Sequence, residues 1–400
     1  MFKMLDGNTS AVEAMKLARV KVIAAYPITP QSTISEKLSE IVANGEMDAK
    51  YIRVESEHTA MSACIGAALT GSRAGTATSS NGLALMNEMI VAASGIRAPI
   101  VMPVVNRAIA TPWSLWCEHM DTMSQRDLGW MQFFTQNCQD VLDYTIAAYK
   151  IAENKDIMTP AMVCLDGFFL SHSMQKIDVP AQEKVDEFLP EYELTNSYLN
   201  PEDPMFVSNV VGMNDYTEVK YQQKYAMDNA FGVIENVFDE FEKQFGRKLN
   251  IIEEYKTEDA DVVLVCMGSM TGTVKYVVDI MREQGKKVGM IKIVVFRPFP
   301  YKYIYEVLKD KKVIGVFDRN SCLGGQYPPV CTEVIAAMKG ADADIRDYVG
   351  GLGGRDVNPA NIEKIFNELL DIYNGSSDKH TNWIDLKENP MDSREVFKYV

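Results

Sequence analysis

The feature that most limits what this chain can fold into is a regular alternation of short apolar runs with segments of helical period. Over the first 170 or so residues, apolar runs of strand length stand at Val20–Ala25, Tyr51–Val54, Gly75–Ser79 and Ile100–Val105. Segments of helical period lie between them, at Ser32–Ala43, Thr59–Leu69 and Gly82–Ser94. A further helix is expected to open at Ser10, where Ser10 and Glu13 have the spacing of a capping box, and to run to about Arg19. Strands separated by helices of this length predict a doubly wound parallel sheet with helices on both faces, an α/β architecture. On such sheets ligands collect beyond the carboxyl ends of the strands. The positions to inspect are therefore Tyr26–Pro30, Glu55–His58, Ser79–Gly82 and Asn106–Ala110.

At 400 residues the chain is long enough for two domains. From about residue 177 to 254 the alternation lapses into a proline- and acid-rich stretch, read as a connector lying over a surface. Within it, Tyr221–Phe245 predicts one long amphipathic helix. A second, smaller alternating unit follows, with strands at Ala260–Met267, Lys287–Val294 and Lys312–Asp318 and a helix at Thr273–Gln284. The expected division is 1–250 (with the connector at about 177–250), 251–372 and a tail of 373–400.

A net charge of −15 argues against nucleic acid or an anionic membrane as partner. The apolar runs are well short of a membrane span, and the first ten residues lack the apolar core of a secretory signal, so the expected location is the cytoplasm. Seven cysteines occur without any C-x-x-C, so neither a structural zinc nor an iron–sulfur cluster finds its usual ligand spacing. Cys64, Cys138, Cys164, Cys266 and Cys331 fall in apolar or strand-like settings, where a thiol acts as a small hydrophobe. Any redox metal used by this protein is expected on another chain.

Four residues draw attention. Glu57 stands at a strand-to-helix junction, where it is either a helix-start charge or a carboxyl whose proton is shared with a ligand nitrogen. Arg107 follows an apolar strand, and its planar fork suits either a structural acid such as Asp121 or Asp166, or a substrate carboxylate. Thr29 and Pro27 lie in the turn Tyr26–Pro30, which two prolines stiffen; the Thr29 hydroxyl either bonds within the turn or holds a ligand oxygen. The loop Thr78–Gly82 has hydroxyls suited to capping or to a cofactor. The pairs Gly324-Gly325, Gly350-Gly351 and Gly353-Gly354 fit no nucleotide fingerprint and predict tight turns or close contacts.

Taken together, the stretches YPITPQS (26–32), ESEHTA (55–60), ATSSNGLALM (77–86), NRAIATP (106–112), HMDTMSQRDLGW (119–130), DGFFLSH (166–172), FRPFP (296–300) and GGLGGRD (350–356) run in one order along nearly the whole chain. In this order they resemble the alpha subunit of the 2-oxoacid:ferredoxin oxidoreductase family, pyruvate:ferredoxin oxidoreductase above all. The resemblance implies a pyrimidine-type thiamine-enzyme domain followed by a transketolase C-terminal-like domain. It implies that Glu57 engages N1′ of thiamine diphosphate, favouring the imino tautomer that takes the C2 proton, with Pro27 also in contact with the cofactor. It implies that Thr29 and Arg107 hold the 2-oxoacid. The implied reaction is reversible oxidative decarboxylation to acyl-CoA and CO2, with electrons passing to ferredoxin in an anaerobic setting. The pyrophosphate side with Mg2+ and a [4Fe–4S] cluster is expected on a beta subunit, a further domain on gamma, and ferredoxin-like clusters on delta. The family often has glutamine where Asn81 stands and G-D-H where this chain has Cys117-Glu118-His119, in a loop that also carries Trp113 and Trp116. Pyruvate is the expected acid; 2-oxoisovalerate, an aryl 2-oxoacid or oxalate are the alternatives within the family, and a non-catalytic scaffold or a self-sufficient thiamine decarboxylase or transketolase are the alternatives outside it.

Overall fold

The computed structural model describes residues 1–194, 199–387 and 390. It divides into two compact units: Met1–Asn106 with Asp121–Ile251 and Val294–Phe299, and Arg107–Met120 with Ile252–Ile293 and Pro300 onward.

The first unit carries, in chain order, β1 (Phe2–Leu5), α1 (Gly7–Leu17), β2 (Val22–Ala25), α2 (Ser32–Ala43), β3 (Lys50–Arg53), α3 (Glu57–Leu69), β4 (Ala74–Gly75), α4 (Ser80–Leu85), α5 (Asn87–Gly95) and β5 (Val101–Asn106). It continues with α6 (Met120–Met123), β6 (Met131–Phe134), α7 (Cys138–Ala152), β7 (Ala161–Asp166), β8 (Gln175–Asp178), α8 (Gln182–Phe188) and α9 (Tyr216–Phe245). The second unit has β9 (Ile252–Tyr255), β10 (Val262–Met267), α10 (Thr271–Glu283) and β11 (Val288–Ile293). The short β12 (Val295–Arg297) belongs to the first unit, and the second resumes with α11 (Tyr301–Leu308), β13 (Val313–Asp318), α12 (Pro329–Ala337), β14 (Asp344–Val349) and α13 (Pro359–Tyr373).

The large sheet has the order β12-β6-β7-β5-β4-β2-β3. Every neighbouring pair is parallel except β12 with β6, so the parallel sheet expected from the alternation is present with an antiparallel edge added. β5, β6 and β7 are buried along their whole length, which is why Val101–Val105 reads as an unbroken apolar run; the buried Gln132 of β6 is met by the Thr122 carbonyl, to which its Nε2 donates at 3.1 Å. α3 is rich in alanine, and its buried face (Ala60, Met61, Cys64, Ala68) lies close over β2.

Local rules fail in two places. α1 starts at Gly7 rather than Ser10, because Asp6 takes the capping role and accepts from the Thr9 N–H at 2.6 Å. Glu13, the expected second half of the box, pairs instead with Lys3. The single helix expected over 82–94 starts earlier and breaks at Met86, whose ψ of −8° closes α4 and opens α5.

The stretch from residue 177 is more structured than its composition suggests. β8 pairs antiparallel with β1, and α8 packs against α9 through Phe188 and Phe241, ring centroids 5.5 Å apart. α9 is held by Ala226, Ala230, Ile234, Val237, Phe238 and Phe241, and ends at Gly246 in the left-handed region that favours glycine. Just beyond, Arg247 forks onto Asp143 at 2.7 and 2.9 Å. Burial nevertheless lifts the Asp143 carboxyl to about 6, against the pull of Arg247.

The second unit is a five-stranded sheet in the order β14-β13-β10-β11-β9, parallel but for β9. α10 and α13 close its core, in which Val274, Val278, Phe366 and Leu369 meet Leu264 and Phe317. Past α13 the chain folds back, with Thr381 bonded to Glu368 and Trp383 bridged to Val349. No helix among the described residues is long and apolar enough to cross a membrane.

Asp318 ends β13 fully buried and accepts the first amides of α12, Val330 N at 2.9 Å and Cys331 N at 3.2 Å. Burial outweighs those donors and raises its carboxyl from 3.8 to about 7. Between those two values the folded chain keeps a proton that the unfolded chain has lost, so stability is full below about pH 4 and declines as pH rises through 7. Asp318→Asn removes that titration. The gap in melting temperature between the unchanged protein and the variant is expected to narrow from pH 5 to pH 8, read by thermal melts at both.

Candidate active site

Three loops at the carboxyl ends of neighbouring strands of the large sheet hold most of the expected residues. β2 runs into Tyr26–Pro30, which contains a cis Thr29–Pro30 bond. The loop is pinned from behind: Pro30 is buried with its carbonyl accepting from Asn8 Nδ2 at 2.8 Å, and Gln31 N donates to Ile28 O at 2.7 Å. Pro27 and Thr29 are left exposed on a fixed turn.

The next strand, β3, leads to Glu57 at the first position of α3. Ser56 caps the helix, its Oγ accepting from Thr59 N at 3.3 Å, and so fixes the point at which Glu57 leaves the backbone. Glu57 is 5% exposed, and burial raises its carboxyl above the usual carboxylate range, partly offset by its own backbone N–H. His58 beside it is half-buried and 3.5 Å from Glu88, a surface contact.

The third loop follows β4 and closes over Glu57. A Cβ at Gly82 would lie 2.5 Å from Glu57 Oε1 and 2.6 Å from Thr78 Oγ1, so the absence of a side chain there is what lets the two oxygens converge. The Thr78 hydroxyl is fully buried and finds no hydrogen-bond partner among the described residues. The loop itself is set by Asp121. Its Oδ2 accepts from Ser80 N at 3.0 Å, a residue with φ +48°, and its Oδ1 accepts from Asn106 Nδ2 at 2.9 Å.

Arg107, directly after β5, belongs to the second unit. It is buried, with its guanidinium 5.9 Å from the centre of the Trp113 ring. The segment it opens is tied down within that unit, with Ala108 N bonded to Trp116 O, His119 N to Arg319 O and Gly354 N to Cys117 O. Gly354, with φ +75°, could not carry a side chain, since a Cβ would fall 2.3 Å from that of Trp116. The glycine pairs at 350–354 thus serve turns and close contacts, as their sequence suggests.

The structure therefore sets Thr29 and Glu57 at the ends of adjacent parallel strands, one exposed and one buried, and brings Glu57 into contact with Gly82 and Thr78. The sequence marks the loop Thr78–Gly82 for its hydroxyls but not the contact of Gly82 with Glu57, and it offers Asp121 as a partner for Arg107 rather than as the anchor of that loop. A glycine closing a polar loop after a strand was a signal for Gly82. Nothing local marks Asp121 as that anchor, a role that exists only through residues 41 and 15 positions away.

The two mainly parallel sheets, the larger with a buried acid at its carboxyl edge, define an α/β fold of the doubly wound kind. Residues 13–239 match the family model described as pyruvate flavodoxin/ferredoxin oxidoreductase, thiamine diphosphate-binding, and residues 260–362 match pyruvate:ferredoxin oxidoreductase core domain II. The chain belongs to the pyruvate flavodoxin/ferredoxin oxidoreductase family. It is 48% identical to pyruvate synthase subunit PorA of Methanocaldococcus jannaschii, over 96% of this chain and 98% of that one. It is 46% identical to ketoisovalerate oxidoreductase subunit VorA of Pyrococcus furiosus over the same shares. Among solved structures, the 2-oxoglutarate:ferredoxin oxidoreductase from Magnetococcus marinus superposes with a TM-score of 0.73 at 18% identity. That match covers 92% of this chain and 65% of that one, and at this identity it speaks for the fold alone.

Gly82→Ala is expected to lower the melting temperature, because the added methyl meets the buried Glu57 carboxyl and the stiff, buried Thr78 side chain. The Glu57 carboxyl must then move. A displacement of about 1 Å at a reacting group costs about 10²-fold in rate, to be read as turnover of the assembled enzyme beside a structure of the variant.

Proposed function

We propose that this chain is the alpha subunit of a CoA-dependent 2-oxoacid:ferredoxin oxidoreductase whose acid is pyruvate. The reaction takes the 2-oxoacid and CoA to acyl-CoA, CO2 and a proton, and passes two electrons to ferredoxin. The observation that carries the reading is the burial of Glu57 against Gly82, in a chain related over nearly its full length to subunits named pyruvate synthase.

The residues present fit thiamine diphosphate. A carboxyl already pushed toward its protonated form can share that proton with a ring nitrogen such as N1′ of the aminopyrimidine. The side-chain-free surface of Gly82 and the buried hydroxyl of Thr78 shape the space beside that carboxyl. When bound, the cofactor supplies the electron sink for decarboxylation. Pro27 would line the cofactor from the stiff turn after β2, and Thr29 would donate a hydrogen bond to the substrate from the same turn. Arg107 would grip the substrate carboxylate with two parallel bonds, the cation being pre-set by the Trp113 ring.

In this reading residues 1–250 form the pyrimidine-type domain with its connector and 251–372 the transketolase C-terminal-like domain, with 373–400 following. A beta subunit would bring the pyrophosphate side with Mg2+ and a [4Fe–4S] cluster, a gamma subunit a further domain, and a delta subunit the ferredoxin-like clusters, all in the cytoplasm. 2-Oxoisovalerate is the second reading for the acid, favoured by the equal similarity to subunits named ketoisovalerate oxidoreductase.

The complex, isolated without oxygen, is expected to reduce viologen in a CoA-dependent way with pyruvate ahead of 2-oxoglutarate, 2-oxoisovalerate, phenylglyoxylate and oxalate. Glu57→Gln should lower turnover by about 10²- to 10⁴-fold, the usual worth of a general acid–base, while the complex still assembles. Turnover with none of the acids, or full turnover in the variant, would refute the assignment.

A further inference from the structure

The stretch from Leu199 into the first turns of α9 behaves unlike the rest of the first unit. Phe206 and Met213 are 90% and 97% exposed and Val210 is fully so, on a segment that forms no strand or helix before Tyr216. The helix that follows takes all of its buried residues from Ala226 onward, so Tyr216–Tyr225 extends beyond what the core holds. Helices in proteins owe most of their stability to a packed face. Here the side facing the body is thin, with only Val219 and Gln223 half-buried. Tyr221 and Tyr225 stand on the opposite side, one turn apart, their rings 6.3 Å from each other and both more than half exposed. Two neighbouring tyrosines left on the outer side of a helix bury their rings only when a second body covers them. Aromatic residues and methionine are also the types that interfaces select.

The charge on this stretch says what kind of body that is. From Leu199 to Tyr225 the chain carries Glu202, Asp203, Asp215 and Glu218 against two lysines, Lys220 and Lys224, of which Lys224 is already paired with Asp228. The whole chain has a net charge of −15, so a second copy would set like charge against like. We infer that residues 199–225 are a docking arm for a non-identical protein chain, one that offers an apolar groove edged by lysine or arginine side chains. The inference rests on the reading of this chain as one subunit of a larger complex. It adds which part of the chain makes the grip and what chemistry answers it. Phe206, Val210 and Met213 fill the groove, the two tyrosines extend the contact along α9, and the four acids meet the basic rim. Attraction of that kind weakens as salt screens it.

A photoreactive benzoylphenylalanine at position 206 or 213 of the native complex tests the arm directly. The expected result is an adduct to a different polypeptide, its peptide mapping beside lysine or arginine. An adduct only to another copy of this chain, or none, overturns the inference. The triple variant Phe206→Asp, Val210→Asp, Met213→Asp gives an independent reading. These side chains bury nothing within their own chain, so the variant alone should melt as the unchanged chain does, yet release its partner at a salt concentration several-fold lower, seen by native mass spectrometry. Unchanged salt resistance would also overturn it. A complex that cross-links as expected but oxidises no 2-oxoacid would refute the enzyme assignment and leave the arm standing. Normal turnover with an arm that can be altered freely would do the reverse.

Discussion

A carboxylate taken out of water must be met by donors, and where it is met it becomes a fixed point for everything that bonds to it. Asp121 has that position in the first unit. One oxygen receives the amide of Ser80 and the other the side chain of Asn106 and the amide of Thr122. The end of β5 and the start of α4 are thereby bound to one group. The loop between β4 and α4 inherits its path from this contact, including the +48° φ of Ser80. Gly82 follows from that path, and the place of the Glu57 carboxyl follows from Gly82. A residue that touches neither cofactor nor acid in the proposed reaction thus sets the geometry of one that does.

How much of this was legible in the sequence depended on how local its cause is. α2 spans the residues its periodicity marks, Ser32–Ala43, because one amphipathic face and one turn determine it. β5, β10 and β13 were equally plain, since strands buried on both faces must be apolar throughout. The start of α1 was misread because two residues competed for one capping role, and Asp6 stood nearer the end of β1. The break at Met86 and the existence of β12 left no local trace. β12 is three residues long and is a strand only because β6 presents an edge to it. Glu57, Thr29, Pro27 and Arg107 stood out by their places after strands or in a stiff turn, the resemblance supplied their expected roles, and the physical surroundings of each became visible only in three dimensions. Burial supplied what composition could not, namely why the acid at position 57 has a raised carboxyl while Glu55, two residues earlier and exposed, is lowered by Thr59.

The choice of acid sits at another level again. Two relatives from Pyrococcus furiosus, one named for pyruvate and one for ketoisovalerate, are each 46% identical to this chain over 96% of it. A difference of two methyl groups on a substrate is worth only a few kcal/mol in a pocket. A handful of side chains can supply that without altering strand order, helix packing or the Asp121 contact. Overall similarity for this reason speaks to the reaction class more than to the acid.

The position of β12 along the chain bears on the order in which the molecule can be made. The large sheet recruits its outer strand from residues 295–297, after β9, β10 and β11 of the other unit have already been translated. On the ribosome, β6 waits with an open edge until some three hundred residues have emerged, and an open edge is a site where foreign strands can pair. The first unit therefore finishes only after the second has begun, and a gene cut between them would yield two fragments that each lack a piece of the other's timetable.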